Sequence, residues 1–235
     1  MEEIRSGTEL PVKREDIELV TSDGLVLVGE LAAPVSGQPK VTLVMLHPLP
    51  TAGGFMDSHL LRKASNRLPE MIGAAVLRFN TRGTTSPRGT SQGSFDGGVA
   101  EAYDVAAAIE FCKSRSLPTP WLVGWSFGTE LAIKYGPDHD IQGAILLSPP
   151  LHRATEADLL RWNQFQKPLV ALIPELDEFL KPAEAAERFA VVPHAQVIPY
   201  ESEKHLWVGE RATRSVLNKI AETTVPGSTP LPTSY

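Results

Sequence analysis

The chain has 235 residues, the size of one large α/β domain, and its 42% hydrophobic against 21% charged side chains supply a core without a signature of disorder. A net charge of −6 argues against a nonspecific nucleic-acid surface or a polybasic membrane anchor. One cysteine excludes an internal disulfide and a Cys-rich metal cluster. The opening MEEIRSGTELPVKRED lacks the apolar stretch of a signal peptide, and no run approaches the ~18 apolar residues of a membrane span. A soluble, cytoplasmic protein without membrane insertion is expected.

Residues 16–32, DIELVTSDGLVLVGELA, alternate apolar and polar around Ser22-Asp23-Gly24 and predict a β-hairpin. After a linker at 34–40, VTLVMLH (41–47) is the continuous aliphatic run of a strand buried on both faces. Residues 57–72 read as a helix, with Leu60, Leu61, Ala64, Leu68 and Met71 at helical spacing and Asp57 or Ser58 as cap. AAVLRFN (74–80) is a second buried strand, followed by a Gly/Ser/Thr-rich loop from Thr81 to about Gly98. A helix over 99–115 is expected to turn Val99, Tyr103, Ala106, Ile109 and Phe111 toward one face, with Cys112 as packing.

The alternation then continues. Strands at 120–125, 143–148, 168–173 and 195–200 are interleaved with helices at 127–135, near 155–165, at 182–190 and near 208–222. Strands alternating with helices imply right-handed βαβ units, a mostly parallel sheet covered on both faces, and an antiparallel edge made by the hairpin. No internal repeat or linker interrupts the chain. One domain over 1–225 is expected, with 226–235 as a flexible tail.

In such sheets, ligands bind beyond the C-terminal ends of the strands. The pattern G-x-S-x-G occurs twice, around Ser91 and around Ser126. The first match lies in a loop whose composition makes a match cheap, with no strand entering it. The second, Gly124-Trp125-Ser126-Phe127-Gly128, lies where a strand passes directly into a helix. A nucleophile on that turn sits on a strained backbone, and small residues two positions either side relieve crowding.

A serine needs an oriented base. Of the six histidines, His59 falls on a helix, His139 in an exposed-looking PDHD segment, and His194 before a strand, at the wrong edge. His152 precedes any good acid. His205, after the last strand, is the preferred base. The carboxylate should follow a strand between the two, where Glu175, Asp177 and Glu178 compete; the shorter Asp177, one turn beyond the strand end, is preferred. The Asp138-His139-Asp140 cluster reads as a solvated loop rather than a metal site, since chain neighbours point apart.

An oxyanion needs aimed donors. The amide of Phe127 is one. In the loop after the first buried strand Pro48 and Pro50 have no N–H, which leaves Leu49 as the second, with His47 orienting the loop. His47, Trp125, Leu151 and Trp207 are the candidate pocket residues, although core packing competes for each indole. Arg82 and Asp96 flank the glycine-rich loop and are candidates to tie it down across the site.

Through HPLPTAGGFMD, RFNTRG, GSFDGG, GWSFG, PELDEF and EKHLW, residues 40–222 resemble the α/β-hydrolase superfamily, in particular its small, cap-less bacterial branch near dienelactone-hydrolase-like proteins. Pro174 stands where that family usually has glycine before the acid. The order Ser126, Asp177, His205 is the family's order. The resemblance implies a three-layer α/β-hydrolase fold, a mostly parallel sheet with an N-terminal antiparallel hairpin and no large cap domain. It also implies carboxylester hydrolysis through an acyl-enzyme on a Ser-His-Asp triad, without fixing the substrate; no cofactor or metal is expected, and the expected partner is a small-molecule ester. Thioesterase, acyltransferase or peptidase chemistry uses the same triad, and a non-catalytic binding module on this fold is the alternative from another class. Only about 20 residues separate the strands at 143–148 and 168–173, room for one helix and no lid.

Overall fold

The hairpin at Ser22-Asp23-Gly24 forms as its alternation requires. In the computed structural model, which describes residues 2–235, β1 (Lys13–Val20) and β2 (Val26–Ala33) pair antiparallel in register Val20↔Val26. The aliphatic runs become β3 (Val41–Leu46) and β4 (Ala74–Phe79), joined by α1 (His59–Ile72). The glycine-rich loop contains a two-residue ladder, β5 (Thr85–Ser86) with β6 (Gly89–Thr90), before α2 (Glu101–Ser114). There follow β7 (Trp121–Trp125), α3 (Phe127–Tyr135), β8 (Gly143–Leu147), α4 (Glu156–Phe165), β9 (Leu169–Pro174), α5 (Pro182–Phe189), β10 (Gln196–Tyr200) and α6 (Glu210–Thr224).

The large sheet runs β1-β2-β4-β3-β7-β8-β9-β10, parallel from β4 onward. Its buried strands alternate between two cores. Val44, Leu46 and Leu77 pack with residues of α2, α3, α4 and α5, whereas Leu43, Met45 and Val76 pack with α1 and α6. From β3 the chain steps one way to β4 and the other way to β7, so the β3–β7 boundary is the switch point where a crevice opens at the strand ends. The register Leu46↔Gly124 sets the ends of those two strands side by side.

Three expectations need correction. The inner face of α2 is not the one the apolar spacing suggests. Val99 and Tyr103 are exposed, and the buried positions include Glu101 and Asp104 beside Val105, Ala108, Ile109 and Cys112. The two acids turn inward because the preceding loop has amides to satisfy. Glu101 accepts from the N–H groups of Asp96 and Gly98 at 2.8 Å each, and Asp104 accepts from the amide and guanidinium of Arg82. Burial pushes the Asp104 carboxyl up despite its Arg82 partner.

Arg82 and Asp96 do not reach across the strand ends. Arg82 bridges Asp104 and Asp23, and Asp96 accepts from the Ala100 amide at 3.1 Å, which moors the loop to α2 and to the hairpin turn.

The tail is also held. Leu231 is buried against the α1–α6 core, its amide donates to Asn218 Oδ1 at 2.8 Å, and Glu2–Ile4 pairs with Thr233–Tyr235. A composition rich in Pro, Ser and Thr lowers helix and strand content, but one apolar anchor and a few backbone bonds suffice to dock a short segment.

Candidate active site

The turn between β7 and α3 is built by its glycines. Ser126 has φ 53° and ψ −117°, a conformation that costs a non-glycine residue on the order of 1–3 kcal/mol. A Cβ on Gly124 would lie 2.4 Å from the Gly128 carbonyl oxygen, and one on Gly128 would lie 2.1 Å from that of Leu46. Only residues without a side chain let β3, β7 and α3 approach this closely. The Ser126 amide donates to Leu147 O at 2.9 Å, and both the amide and hydroxyl of Thr129 donate to Ser126 O. The hydroxyl is left at the partly exposed apex of the turn, above the N-terminus of α3.

Around that hydroxyl the structure gathers the residues at three strand ends. Ser126 Oγ is 2.9 Å from His205 Nε2, and His205 Nδ1 is 2.9 Å and 3.1 Å from the two Asp177 oxygens. Asp177 and His205 are buried, with Asp177 only 2% exposed. Asp177 Oδ1 also accepts from the Phe179 amide at 2.9 Å, which holds the carboxylate against the imidazole. The competing acids are elsewhere. Glu175 accepts from the Ser202 amide at 2.7 Å, and Glu178 faces solvent.

The loop after β3 is folded by a 3₁₀ turn at Pro50–Ala52, with the amides of Ala52 and Gly54 donating to Leu49 O. Among the described residues, the amides of Leu49 and Phe127 donate to no protein group, so both N–H groups are available at the switch point. His47 is buried beneath this loop. Its Nε2 accepts from the Thr81 amide at 3.0 Å, so its Nδ1 carries the hydrogen and donates to Pro48 O at 2.6 Å. Burial depresses its pKa to about 4, in keeping with a neutral ring that serves as both acceptor and donor.

Ser91 is a structural residue. It is buried, donates to Asn80 O at 2.7 Å and accepts from the Val28 amide at 3.0 Å. Among the remaining histidines, His59 Nε2 donates to Leu206 O at 2.8 Å, and His194 lies 3.1 Å from Lys167 O.

No family model matches the chain. A curated relative, an uncharacterized protein of Rickettsia prowazekii, is 32% identical over 133 residues, 55% of this chain; the match spans 53% of that relative's length. The solved structures are more telling. An α/β serine hydrolase without a lid from Xanthomonas campestris superposes with a TM-score of 0.74 at 25% identity, covering 92% of this chain and 95% of that one. An α/β serine hydrolase homologue from Coxiella burnetii shares the fold at TM-score 0.75 and 22% identity over 89% and 96% of the two chains. So does a Pyrococcus furiosus esterase, at 0.74 and 18% over 94% and 97%. The chain has the α/β-hydrolase fold.

This α/β-hydrolase fold has no large cap: between β8 and β9 the chain forms α4 alone. Its site also departs from the expected pocket. Trp125, Trp207 and Leu151 are buried in the cores rather than lining an open cleft, and His47 is buried as well. The two indoles are turned inward because each N–H has a partner there. Trp125 Nε1 donates to His205 O at 3.1 Å, and Trp207 Nε1 donates to Ser148 Oγ at 2.8 Å. Ser148 in turn donates to His205 O at 3.0 Å. With His59 on the next carbonyl, three side chains from separate parts of the chain, Trp125, Ser148 and His59, grip the backbone of the His205 loop. Ser148, His59 and Phe179 were not singled out from sequence. Nothing in one dimension marks them: the partners of Ser148 and His59 are 57 and 147 residues away, and the ring of Phe179 meets that of His205, beyond another strand.

Proposed function

We propose that this α/β-hydrolase is a serine hydrolase that cleaves carboxylic esters, small or short-chain, through an acyl-enzyme on Ser126. The observation that carries the reading is the unbroken chain of hydrogen bonds from Ser126 Oγ through His205 to Asp177 at a strand-to-helix elbow.

In this mechanism His205 Nε2 takes the Ser126 proton as Oγ attacks the ester carbon, while Asp177 holds the ring and stabilises the imidazolium. The amides of Phe127 and Leu49 donate to the oxyanion, each such donor contributing on the order of 3–4 kcal/mol in related chemistry. Collapse of the tetrahedral intermediate breaks the C–O bond, and His205 delivers the proton to the departing alcohol. Water, deprotonated by the same imidazole, then releases the acid and restores Ser126.

Labelling with a fluorophosphonate probe tests the assignment. The wild type and Ser91→Ala are expected to be labelled and Ser126→Ala to be blank; equal labelling of the wild type and Ser126→Ala overturns it. A series of aryl esters of increasing acyl length should show preference for short chains, since no lid encloses a long one.

A further inference from the structure

Resting on the reading of Ser126 as nucleophile, we propose that Phe179 forms the subsite for the departing alcohol and selects aromatic or apolar alcohols. Phe179 is 47% exposed, yet its position is closely defined. Its amide donates to Asp177 Oδ1 at 2.9 Å, and its ring stands edge-to-face with the His205 imidazole at 4.7 Å between centroids. On another side it meets the His152 ring at 5.5 Å, again edge-to-face.

The chemistry places the alcohol against this ring. When the ester C–O bond breaks, its electron pair goes to the alkoxy oxygen, which takes the proton held on His205 Nε2. That oxygen must therefore lie within hydrogen-bond reach of the imidazole, about 3 Å from Nε2. Whatever substituent it carries then projects over the surroundings of His205, where Phe179 offers a pinned ring with a solvent-facing side. The acyl group, bonded to the carbon held at the Phe127 and Leu49 amides, lies on the other side of the scissile bond. A ring already ordered by two aromatic neighbours and a backbone bond loses little entropy on contact. Aromatic contacts of this kind contribute roughly two- to tenfold in an equilibrium or rate.

The test compares benzyl acetate with 2-methoxyethyl acetate, which share an acyl group and have alcohols of similar acidity. The wild type is expected to prefer the benzyl ester in kcat/KM. In Phe179→Ala the ratio of the two kcat/KM values should fall about fivefold, and Phe179→Tyr, which keeps the ring, should restore it. Deacylation of the common acetyl-enzyme, which begins after the alcohol has left, should not follow the ratio. A ratio in Phe179→Ala equal to that of the wild type, whatever happens to the absolute rates, overturns the proposal. So does a parallel fall in acylation and deacylation with the ratio constant, which assigns Phe179 to holding Asp177. Fluorophosphonate labelling of the same preparations separates the two levels. A labelled enzyme with an unchanged ratio loses only the subsite, whereas a wild type that takes no label at Ser126 loses the nucleophile and the subsite together.

Discussion

The hydroxyl of Ser148 donates to the carbonyl oxygen of His205 at 3.0 Å, across 57 residues of sequence. Ser148 adopts φ 51° immediately after β8, and its Oγ is at the same time the acceptor for Trp207 Nε1. The backbone of His205 is thus tied to the end of β8, the strand next to β7, and both partners are buried.

Replacing Ser148 with Ala removes one donor from His205 O and leaves the Trp207 N–H buried without a partner. The expected loss is about 1–3 kcal/mol of unfolding free energy in urea titration. In steady-state kinetics kcat should fall while KM moves little, because the His205 ring loses its orientation and substrate contacts are untouched. Trp207→Phe removes the N–H together with part of a fully buried ring, so a cavity adds to its loss of stability, whereas the Ser148 bond to His205 O survives and kcat should fall less than in Ser148→Ala.

Gly128→Ala should be far worse than Gly53→Ala. The first sets a methyl 2.1 Å from Leu46 O between three packed elements, a clash that relaxes only by separating β3 from the elbow. The second meets no atom within 4 Å and pays only for φ 83°. Thermal unfolding should show a loss of roughly 1 kcal/mol for Gly53→Ala, and several-fold more, or no soluble protein, for Gly128→Ala.

His47 predicts a pH dependence of stability. Its pKa falls from 6.5 to about 4 on folding, so the unfolded chain binds its proton first as pH is lowered. Stability from this group is complete above pH 6.5, declines as pH falls from 6.5 to about 4, and is level below that. The total is on the order of 3 kcal/mol. Urea unfolding of the wild type and His47→Gln across this window checks it. The carboxylates titrate in both and cancel, so the variant should lose less stability with acid; parallel curves would contradict the assignment.

Asp177→Asn should lower kcat by roughly 10³–10⁴-fold, because an amide favours the wrong histidine tautomer. Glu175→Gln, whose carboxylate accepts from the Ser202 amide in the loop beside it, should change kcat by no more than a few-fold. Equal losses in the two would remove Asp177 from the role proposed for it.

The strands and helices were readable in the chain because the apolar runs and turn residues carry them locally. VTLVML and AAVLRF are aliphatic on both faces apart from Thr42 and Arg78, both of which are buried, so each reads as a strand covered on both sides. The elbow was readable too, since Gly124 and Gly128 are demanded by contacts that any strand-to-helix turn of this shape would make. Where local pattern competed with distant partners, it failed. The inner face of α2 was misassigned because Glu101 and Asp104 gain more by satisfying the 81–98 loop than by facing water. The tail was expected to be loose, yet Leu231 finds an apolar seat between α1 and α6.

The residue types at the site, and their order along the chain, follow from local chemistry: a serine at a glycine-flanked turn, an acid and a histidine each just past a strand. Folding alone decides which acid meets His205, that the indoles of Trp125 and Trp207 face inward, and that Phe179 stands against the imidazole. These are contacts between segments whose separation in sequence carries no information about separation in space. Hydrogen-bond partners for buried polar groups are chosen only when the sheet order has brought the strand ends together.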